Sequence, residues 1–305
     1  MDEWLSRTRL LFGDEPIKRL QNAHVLVVGV GGVGAYAAEM VVRAGIGALT
    51  IVDGDTVSES NLNRQLVALH STLGKSKVEV LKERFLDINP DLKLTAQHRF
   101  IEEEDIPALL EGGEIDFVID AIDTLAPKVA LIAYCLRHKI KIVSSMGAGG
   151  RKAPSAIRIA DIADTYHCAL AKAVRLRLRK EGISKGLKTV FSTEQADRNA
   201  VVVVEGERNK KSTVGTISYL PAIFGGYLAG TDDRVLEFYD GRDKKHTQEL
   251  WFFGGTERYR RRDRTGRNRL HRGGERSRQN NLVADRGNAR QARLRGNLIR
   301  RQAGG

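Results

Sequence analysis

The feature that most constrains the fold is a glycine-rich turn between a short apolar run and an amphipathic segment. The run His24–Gly29 (HVLVVG) leads into Gly29–Gly34 (GVGGVG), and Val33–Ala44 continues with a helical pattern. Glycines let the backbone approach phosphate oxygens closely, and a helix N-terminus adds N–H groups and a partial positive charge. Asp53 ends the next apolar run, where a carboxylate can accept ribose hydroxyls. These signals predict an adenine-nucleotide site; glycines that serve only a tight turn are the alternative.

Apolar runs and amphipathic segments alternate along residues 23–160, which predicts an α/β fold. The apolar runs are short and rich in Val and Ile, as buried parallel strands are. The predicted strands are His24–Gly29, Ala48–Asp53, Lys93–His98, Asp116–Ala121 and Ile140–Ser145. The predicted helices are Val33–Ala44, Lys75–Ile88, Glu103–Leu110 and Pro127–His138. We expect a Rossmann-like three-layer sandwich around a mostly parallel sheet.

The pattern changes after Gly147. Further strands are predicted at Ala156–Ile162, Leu187–Ser192 and Val201–Glu205, with a basic helix at His167–Glu181. Their spacing is irregular, so we expect them to extend the sheet antiparallel or to form a lobe against it. Thr216–Gly230 is a candidate closing helix, and the polar residues that follow interrupt its apolar run.

The charge of the chain is concentrated near its end. The 305 residues carry a net charge of +12, and Glu257–Gly305 alone contain 16 Arg, no Lys and 4 acidic residues. The first 256 residues therefore balance, which excludes a basic fold of histone type. We expect a nucleotide-binding domain at residues 1–230, with 151–230 facing the substrate, and a divergent, disordered Arg-rich tail at 231–305. That tail would be an auxiliary RNA-binding arm or the product of an altered reading frame.

Compartment and metal content follow from apolar runs and cysteines. No apolar run approaches the ~20 residues of a membrane span, and Met1–Arg9 does not resemble a signal peptide, so a cytoplasmic protein is expected. Cys135 and Cys168 are the only cysteines and form no Cys-x-x-Cys pair, so we expect neither zinc nor a disulfide framework. Both are interpreted as structural residues rather than nucleophiles.

Charged residues after successive predicted strands suggest which nucleotide is bound. Arg64 lies in DTVSESNLNRQ, Lys77 in GKSK and Asp123 in DAID. Loops at the carboxyl ends of parallel strands meet at one edge of the sheet, so these side chains should lie beside the nucleotide. The two cations could neutralise a triphosphate and Asp123 could hold its Mg²⁺, as phosphoryl or nucleotidyl transfer requires. Hydride transfer needs none of them, which makes a dehydrogenase the last alternative.

These runs resemble those of the ThiF-type adenylating enzymes, relatives of the ubiquitin-activating enzymes. The resemblance covers roughly Trp4–Tyr227 and is closest to the tRNA threonylcarbamoyladenosine dehydratase branch. The segments that carry the branch resemblance are WLSRTRLLFGDE, DAIDTLAPK, SSMGAGG, VFSTE and EGERNKKSTVGTISYLPAIFG. It implies a homodimer that uses ATP and Mg²⁺ to adenylylate the carboxylate of the modified nucleoside, which then cyclises with net loss of water.

The same resemblance implies roles for individual residues. The phosphate loop would comprise Gly29, Gly31, Gly32 and Gly34, and the ribose would bind Asp53. The phosphates would contact Asn61, Arg64, Gln65 and Lys77, and Mg²⁺ would bind Asp123. Arg9 would reach across the dimer interface toward the leaving pyrophosphate, although an ordinary surface charge is the alternative.

Two basic clusters are candidates for tRNA contact, because closely spaced cations can follow a phosphate backbone. The candidates are Lys172, Arg175, Arg177, Arg179, Lys180, Lys185, Arg208, Lys210 and Lys211. A solvated helix face is the alternative interpretation. Two further functions stay open: adenylylation of the C-terminus of a ubiquitin-like or sulfur-carrier protein, and a nucleotide-gated scaffold without turnover. The lack of Cys-x-x-Cys pairs argues against the carrier-protein substrate.

Overall fold

A seven-stranded sheet forms the centre of the described fold. The computed structural model describes residues 3–111, 114–203 and 212–231. The strands are β1 (His24–Val28), β2 (Ala48–Val52), β3 (Lys93–Gln97), β4 (Phe117–Asp120), β5 (Lys141–Ser145), β6 (Ile157–Asp161), β7 (Lys188–Ser192), β8 (Val201–Val203) and β9 (Ser212–Val214). The sheet order is β3-β2-β1-β4-β5-β7-β6, and β8 pairs with β9 in a separate antiparallel ribbon.

Helices cover both faces of this sheet. They are α1 (Ser6–Phe12), α2 (Asp14–Gln21), α3 (Gly34–Arg43), α4 (Lys77–Ile88), α5 (Ile106–Glu111), α6 (Leu125–Arg137), α7 (Ala169–Lys180) and α8 (Tyr219–Gly230). Val25 and Val27 of β1 pack into one core with α3, α4 and α8, whereas Leu26 and Val28 pack into the other with α5, α6 and α7. Successive residues of a strand face opposite sides, so a strand buried on both faces is apolar throughout. The predicted three-layer sandwich is confirmed.

The strands after Gly147 join the sheet in two directions. β7 pairs parallel with β5, and β6 then adds antiparallel to β7 at the edge. Helix α7 lies between β6 and β7 in the chain, as the sequence predicted. The extension is therefore antiparallel only for β6, while β8 and β9 lie outside the large sheet. The sequence did not predict α1, α2 or β9.

The strand order places a crevice above the middle of the sheet. The order reverses between β1, whose chain continues to β2 on one side, and β4, whose chain continues to β5 on the other. Crossovers that leave in opposite directions open a space beyond the carboxyl ends of the two strands, and ligands of doubly wound sheets bind there. The turn that begins at Gly29 follows β1, and the segment that carries Asp123 follows β4.

Within the described part of the chain, every helix is too short or too polar to cross a bilayer. The Arg-rich segment that begins at Glu257 lies outside the described residues, as do Arg208, Lys210 and Lys211 of the second basic cluster. The expected disorder of residues 231–305 and the assignment of residues 151–230 to the substrate side stay predictions.

Candidate nucleotide-binding site

A cavity of about 1190 Å³ opens at the crevice between the carboxyl ends of β1 and β4. The loops after β1, β2, β3, β4 and β5 all contribute to its walls, together with the segment between β9 and α8. The predicted site residues that line it are Gly29, Gly31, Gly32, Asp53, Asn61, Arg64, Gln65, Lys77 and Asp123. The topology therefore brings together residues that are up to 94 positions apart in the sequence.

The turn after β1 requires glycine at two positions for different steric reasons. Gly29 has φ of +84°, and a Cβ there would lie 2.7 Å from the carbonyl oxygen of Ala121 in the neighbouring loop. A Cβ on Gly34 would lie 1.8 Å from the carbonyl oxygen of Gly29, so the first residue of α3 packs directly on the turn. Gly34 is buried and does not line the cavity. It shapes the turn from behind, whereas Gly29, Gly31 and Gly32 line the cavity.

Asp53 connects the end of β2 to this turn. Its Oδ2 accepts a hydrogen bond from the backbone N–H of Val30 at 2.7 Å, and its Oδ1 accepts one from the N–H of Asp55 at 2.8 Å. Burial raises the pKa of the Asp53 carboxyl, and the charge of Lys77 opposes that rise. Each carboxylate oxygen can accept more than one hydrogen bond, so ribose hydroxyls could still bind. Asp53 thus fixes the glycine turn and presents an acceptor at the rim of the cavity.

Lys77 begins α4 and is buried, with 3% of its surface exposed. Its ammonium donates to Oδ2 of Asp55 at 2.8 Å, and Asp55 is half exposed at the cavity wall. Burying an ammonium is unfavourable unless a counter-charge accompanies it, and Asp55 supplies that counter-charge to Lys77 beside the cavity. The sequence prediction included Lys77 but not Asp55.

Arg64 is held only by neutral acceptors. Its Nη1 donates to the carbonyl oxygen of Ser60 and to Oδ1 of Asn63, both at 2.8 Å. Among the described residues no carboxylate forms an ion pair with Arg64. Burial lowers the pKa of this guanidinium, and no carboxylate of the described residues compensates its charge. A partly buried, uncompensated cation packed on Gly32 is suited to an anion such as a phosphate.

Two amide side chains complete this wall. Asn61 is buried, and its Oδ1 accepts a hydrogen bond from the N–H of Ser58 at 3.1 Å, which fixes the loop before Arg64. The Gln65 amide lies beside Gly31, and its Oε1 is buried without a hydrogen-bond partner among the described residues. An unsatisfied buried acceptor costs about 1–3 kcal/mol. At a cavity wall it indicates a place for a donor from a ligand or from water.

A buried ion pair fixes the segment that carries Asp123. Asp120 and Lys128 are both fully buried, and Nζ of Lys128 lies 2.8 Å from Oδ2 of Asp120. Oδ1 of Asp120 accepts from the N–H of Ile122 at 3.0 Å, and Nζ of Lys128 donates to the carbonyl oxygen of Ile122 at 3.0 Å. Ser144 of β5 donates to Asp120 at 2.6 Å. Both polar groups of the residue before Asp123 are therefore bonded to charged side chains, which limits where Asp123 can lie.

The oxygen donors at the cavity fit a magnesium ion that arrives with a nucleotide. Asp123 is exposed and lines the cavity. The described residues contain no group of three or more His, Cys, Asp or Glu side chains that could hold a metal ion by themselves. Mg²⁺ is usually bound through one or two carboxylates together with substrate phosphates, so a single carboxylate at this position is compatible with it.

The opposite side of the cavity is formed by residues that the sequence did not single out. We call Ala148, Gly149 and Val214–Thr216 the far wall. Arg151 holds one part of it from behind: this guanidinium is 4% exposed and donates to the carbonyl oxygens of Gly147, Gly149, Glu194 and His167. Polar side chains that bind distant backbone groups leave no periodic pattern in a sequence, and only the quoted runs SSMGAGG and EGERNKKSTVGTISYLPAIFG indicated this region.

Several predicted residues lie away from the cavity. The Arg9 guanidinium does not line it and pairs with Asp14 at 2.6 Å. Arg175 of the basic helix is bonded internally to the carbonyl oxygens of Ile162 and Thr165 and to the Thr165 hydroxyl. Its role in the structure is to hold α7 to the segment after β6. The other predicted cations on α7 and after it are exposed: Lys172, Arg177, Arg179, Lys180 and Lys185.

The environments of the two cysteines match their structural interpretation. Burial raises the pKa of the Cys135 thiol to about 12, so the reactive thiolate is negligible at neutral pH. Cys168 is buried at the start of α7, where its Sγ accepts a hydrogen bond from the N–H of Ala171 at 3.5 Å. Neither cysteine lines the cavity.

A glycine turn at the switch point of the sheet, beside an uncompensated arginine and a buried lysine, defines a Rossmann-like nucleotide-binding protein. Comparison with protein families is more specific. The chain belongs to the ThiF family, whose model matches residues 5–269. This match extends beyond Tyr227, the last residue of the resemblance seen in the sequence.

Three similar proteins illustrate the relationship. The tRNA threonylcarbamoyladenosine dehydratase of Bacillus subtilis is 43% identical over 236 residues, which cover 74% of this chain and 91% of that protein. The crystal structure of the E. coli tRNA N6-threonylcarbamoyladenosine dehydratase in complex with ATP superposes with a TM-score of 0.69 at 35% identity, covering 78% of this chain and 96% of that one. The molybdopterin-synthase adenylyltransferase of E. coli is 38% identical over 125 residues, covering 41% of this chain and 49% of that protein.

Proposed function

We propose that this chain is an ATP-dependent tRNA threonylcarbamoyladenosine dehydratase. The observation that carries the proposal is the cavity in which the glycine turn, Arg64, Lys77 and Asp123 meet at the switch point of the sheet. The match to the dehydratase of B. subtilis covers 91% of that protein, so the similarity includes the regions around the site. The ATP-bound E. coli structure supports ATP as the nucleotide.

The proposed reaction has two steps. A carboxylate oxygen of the modified nucleoside attacks the α-phosphorus of ATP, the bond from that phosphorus to the bridging oxygen breaks, and pyrophosphate leaves with the electron pair. The resulting acyl-adenylate is then attacked at its acyl carbon by an atom of the carbamoyl group. AMP leaves, a proton is released and a ring closes. The nucleoside has lost one water, and ATP has been converted to AMP and pyrophosphate.

The chemistry demands charge stabilisation rather than a protein nucleophile. Negative charge develops on phosphate oxygens, and preorganised cations stabilise it most effectively where water is excluded. Arg64 would bind the phosphates through Nε and Nη2 while Nη1 stays bonded to Ser60 and Asn63, and Lys77 would turn from Asp55 toward them. Asp53 would orient the ribose. Asp123 would hold Mg²⁺, which supplies charge neutralisation to the phosphates when it is bound. The nucleophile comes from the substrate, in keeping with the protonated, buried thiol of Cys135.

A homodimer and a cytoplasmic location belong to the same proposal. Leu10 and Leu11 of α1 are 88% and 73% exposed, next to Arg9 in the chain. An apolar pair at this exposure favours a protein contact, and a second copy that covers α1 would bring Arg9 toward a neighbouring cavity. The exposed cations Lys172, Arg177, Arg179, Lys180 and Lys185 offer a surface to the tRNA backbone.

The test is nucleoside mass analysis of tRNA that carries threonylcarbamoyladenosine. Incubation with the full chain, ATP and Mg²⁺ should lower the mass of that nucleoside by one water and release AMP in equal amount. If neither the loss of mass nor the release of AMP is observed, the proposal is refuted. Pyrophosphate exchange that requires a carrier protein ending in Gly-Gly would instead favour the second function, which the shorter similarity to the molybdopterin-synthase adenylyltransferase suggests.

A further inference from the structure

The side chain of Asn63 joins two segments that are far apart in the sequence. Its Oδ1 accepts a hydrogen bond from Nη1 of Arg64 at 2.8 Å, and its Nδ2 donates to the carbonyl oxygen of Thr216 at 3.0 Å. A guanidinium can only donate and a carbonyl oxygen can only accept, so the amide has one possible orientation. Asn63 therefore connects the cation beside the glycine turn to the far wall of the cavity.

The far wall is itself rigidly joined to the loop after β5. The carbonyl oxygen of Gly215 accepts from the N–H of Gly150 at 2.8 Å, and the N–H of Gly215 donates to the carbonyl oxygen of Ala200 at 2.7 Å. A Cβ on Gly149 would lie 2.8 Å from Cγ1 of Val214, so the Gly149 backbone packs directly against the Val214 side chain. A shift of Thr216 would therefore disturb several bonds together, and the wall should move as one unit.

Between this unit and Arg64, the Asn63 amide is the one hydrogen-bonded connection among the described residues. We propose that Asn63 is a positioning residue that sets the separation of Arg64 and the far wall. The proposal rests on the proposed function, in which Arg64 binds the ATP phosphates, and it places the incoming carboxylate of the nucleoside beside the far wall. The cavity extends from Arg64 to the far wall, so the two reactants would meet in the space that Asn63 spans.

The physical consequence concerns alignment rather than ATP affinity. Transfer to phosphorus needs the attacking oxygen within about 3–3.5 Å and in line with the leaving group, and a misplacement of about 1 Å can cost about 100-fold in rate. Without the amide, Arg64 keeps its bond to the Ser60 carbonyl and can still bind phosphate. The far wall, however, would no longer follow the position of Arg64.

Hydrogen exchange with ATP alone tests the connection independently of any reaction on tRNA. In the wild-type chain, saturating ATP should slow amide exchange over residues 214–218 by about threefold or more, because a fixed Arg64 stabilises the bridge to Thr216. Asn63→Ala should abolish this slowing. Asn63→Asp keeps an acceptor for Arg64 but places an oxygen against the Thr216 carbonyl, so it should abolish the slowing as well. The matched control Asn22→Ala removes an exposed asparagine of the α2 terminus and should behave as wild type.

Kinetics then separate positioning from ordinary binding. Asn63→Ala should bind ATP within about threefold of wild type while kcat for AMP release in the presence of modified tRNA falls about tenfold or more. Slowing over 214–218 that persists in Asn63→Ala or Asn63→Asp would overturn the proposal. So would a loss of ATP affinity in Asn63→Ala that matches the loss of kcat. If wild-type protein shows the ATP-dependent slowing but no reaction on tRNA, the proposed function fails and the connection stands.

Discussion

The two cations at the cavity differ in what they lose when a triphosphate binds. Lys77 would have to exchange the carboxylate of Asp55 for phosphate oxygens, whereas Arg64 has no ion pair to break among the described residues and would bind through Nε and Nη2. Phosphate binding should therefore gain more from Arg64 for each hydrogen bond formed, because no ion pair is broken first. Lys77 is the more buried of the two cations. Its removal would also leave the Asp55 carboxylate without the ion pair that it forms with Lys77.

The first prediction follows from these surroundings. Arg64→Ala, Lys77→Ala and Asp123→Ala should each lower AMP formation by about 10²–10³-fold or more, the cost of removing one preorganised electrostatic group. Circular dichroism and the unfolding midpoint should show that the Arg64 and Asp123 variants stay folded. Asn22→Ala serves as the control outside the cavity. A fully active Asp123→Ala would contradict the metal-binding role.

The second prediction concerns the Cys135 thiol and alkaline pH. Burial, and to a lesser degree the charge of Asp120, raises its pKa from 9.0 to about 12. The unfolded chain ionises above pH 9 while the folded chain stays protonated, so this stabilising contribution is full below pH 9 and is lost as the pH rises through 12. The loss is about 1.4 kcal/mol per pH unit within that interval.

Urea unfolding of wild type and Cys135→Ala measures the effect by difference. The gap in free energy of unfolding should be constant between pH 6 and 8 and should shrink steadily above pH 9. A thiol reagent at pH 8 should leave Cys135 unmodified until the chain is unfolded. Rapid labelling of native Cys135 at that pH would be inconsistent with the buried, protonated thiol.

Which site residues the sequence could predict depends on how each one is held. Gly29, Asp53 and Lys77 were found because they occur where predicted strands end or helices begin, and the fold brings such positions together. Asn63 was missed because its partner Thr216 is 153 positions away, and no local pattern records that bond. Lys128 was missed because a lysine in an apolar helix is ordinarily expected to reach solvent.

At the scale of secondary structure, the contact between α3 and α8 depends on one glycine. A Cβ on Gly225 would lie 2.7 Å from the Val33 carbonyl oxygen and 2.9 Å from the backbone nitrogen of Ala37. Both neighbours are backbone atoms of the segment that begins α3, so α8 would have to move away from the helix that follows the glycine turn. The next residue, Gly226, has no heavy atom within 4 Å of the corresponding position.

The third prediction compares these adjacent glycines. Gly225→Ala should lower the free energy of unfolding by about 1–3 kcal/mol, the usual cost of an overpacked core. Gly226→Ala should raise it by about 0.5–1 kcal/mol, because alanine is favoured over glycine in a helix and meets no obstacle there. Chemical denaturation of the two variants gives both values. Equal effects of the two substitutions would show that α8 does not pack on α3 at this distance.

The strands themselves were predictable, but their partners were less so. Runs such as Val25–Val28 and Phe117–Ile119 are buried on both faces, and a continuous apolar run is evident in the sequence. The direction of β7 was wrong in the prediction, because pairing depends on how α7 carries the chain back across the sheet rather than on the residues of β7. The short strand β9 pairs only with β8, and three residues give too little periodicity to be recognised.

For the whole molecule, the net charge of +12 says little about the site. The first 256 residues are balanced, yet exposed lysines and arginines are concentrated on α7 and the loop after it. Local arrangement therefore matters more than the total, as it does for any surface that follows a phosphate backbone. The ThiF match to residue 269 overlaps the start of the segment from Glu257 in which the excess charge lies.

The last prediction tests whether the active unit contains two chains. Arg9 lies outside the cavity of its own chain, so a role in the reaction would require it to act on a second copy. Arg9→Ala and Lys77→Ala should each be inactive alone. In a mixed dimer, one site combines Lys77 of the Arg9→Ala chain with Arg9 of the Lys77→Ala chain and is therefore complete. The other site lacks both residues.

Equal amounts of the two variants, mixed and allowed to exchange subunits, should form mixed dimers at about half of the total. Because a two-fold interface is reciprocal, about a quarter of the wild-type sites should recover, measured as AMP release per chain. Mixing either variant with itself provides the baseline. No recovery, in a sample whose subunit exchange is verified by a tagged chain, would mean that Arg9 does not act across an interface. An active Arg9→Ala variant would mean that it has no role in the reaction at all.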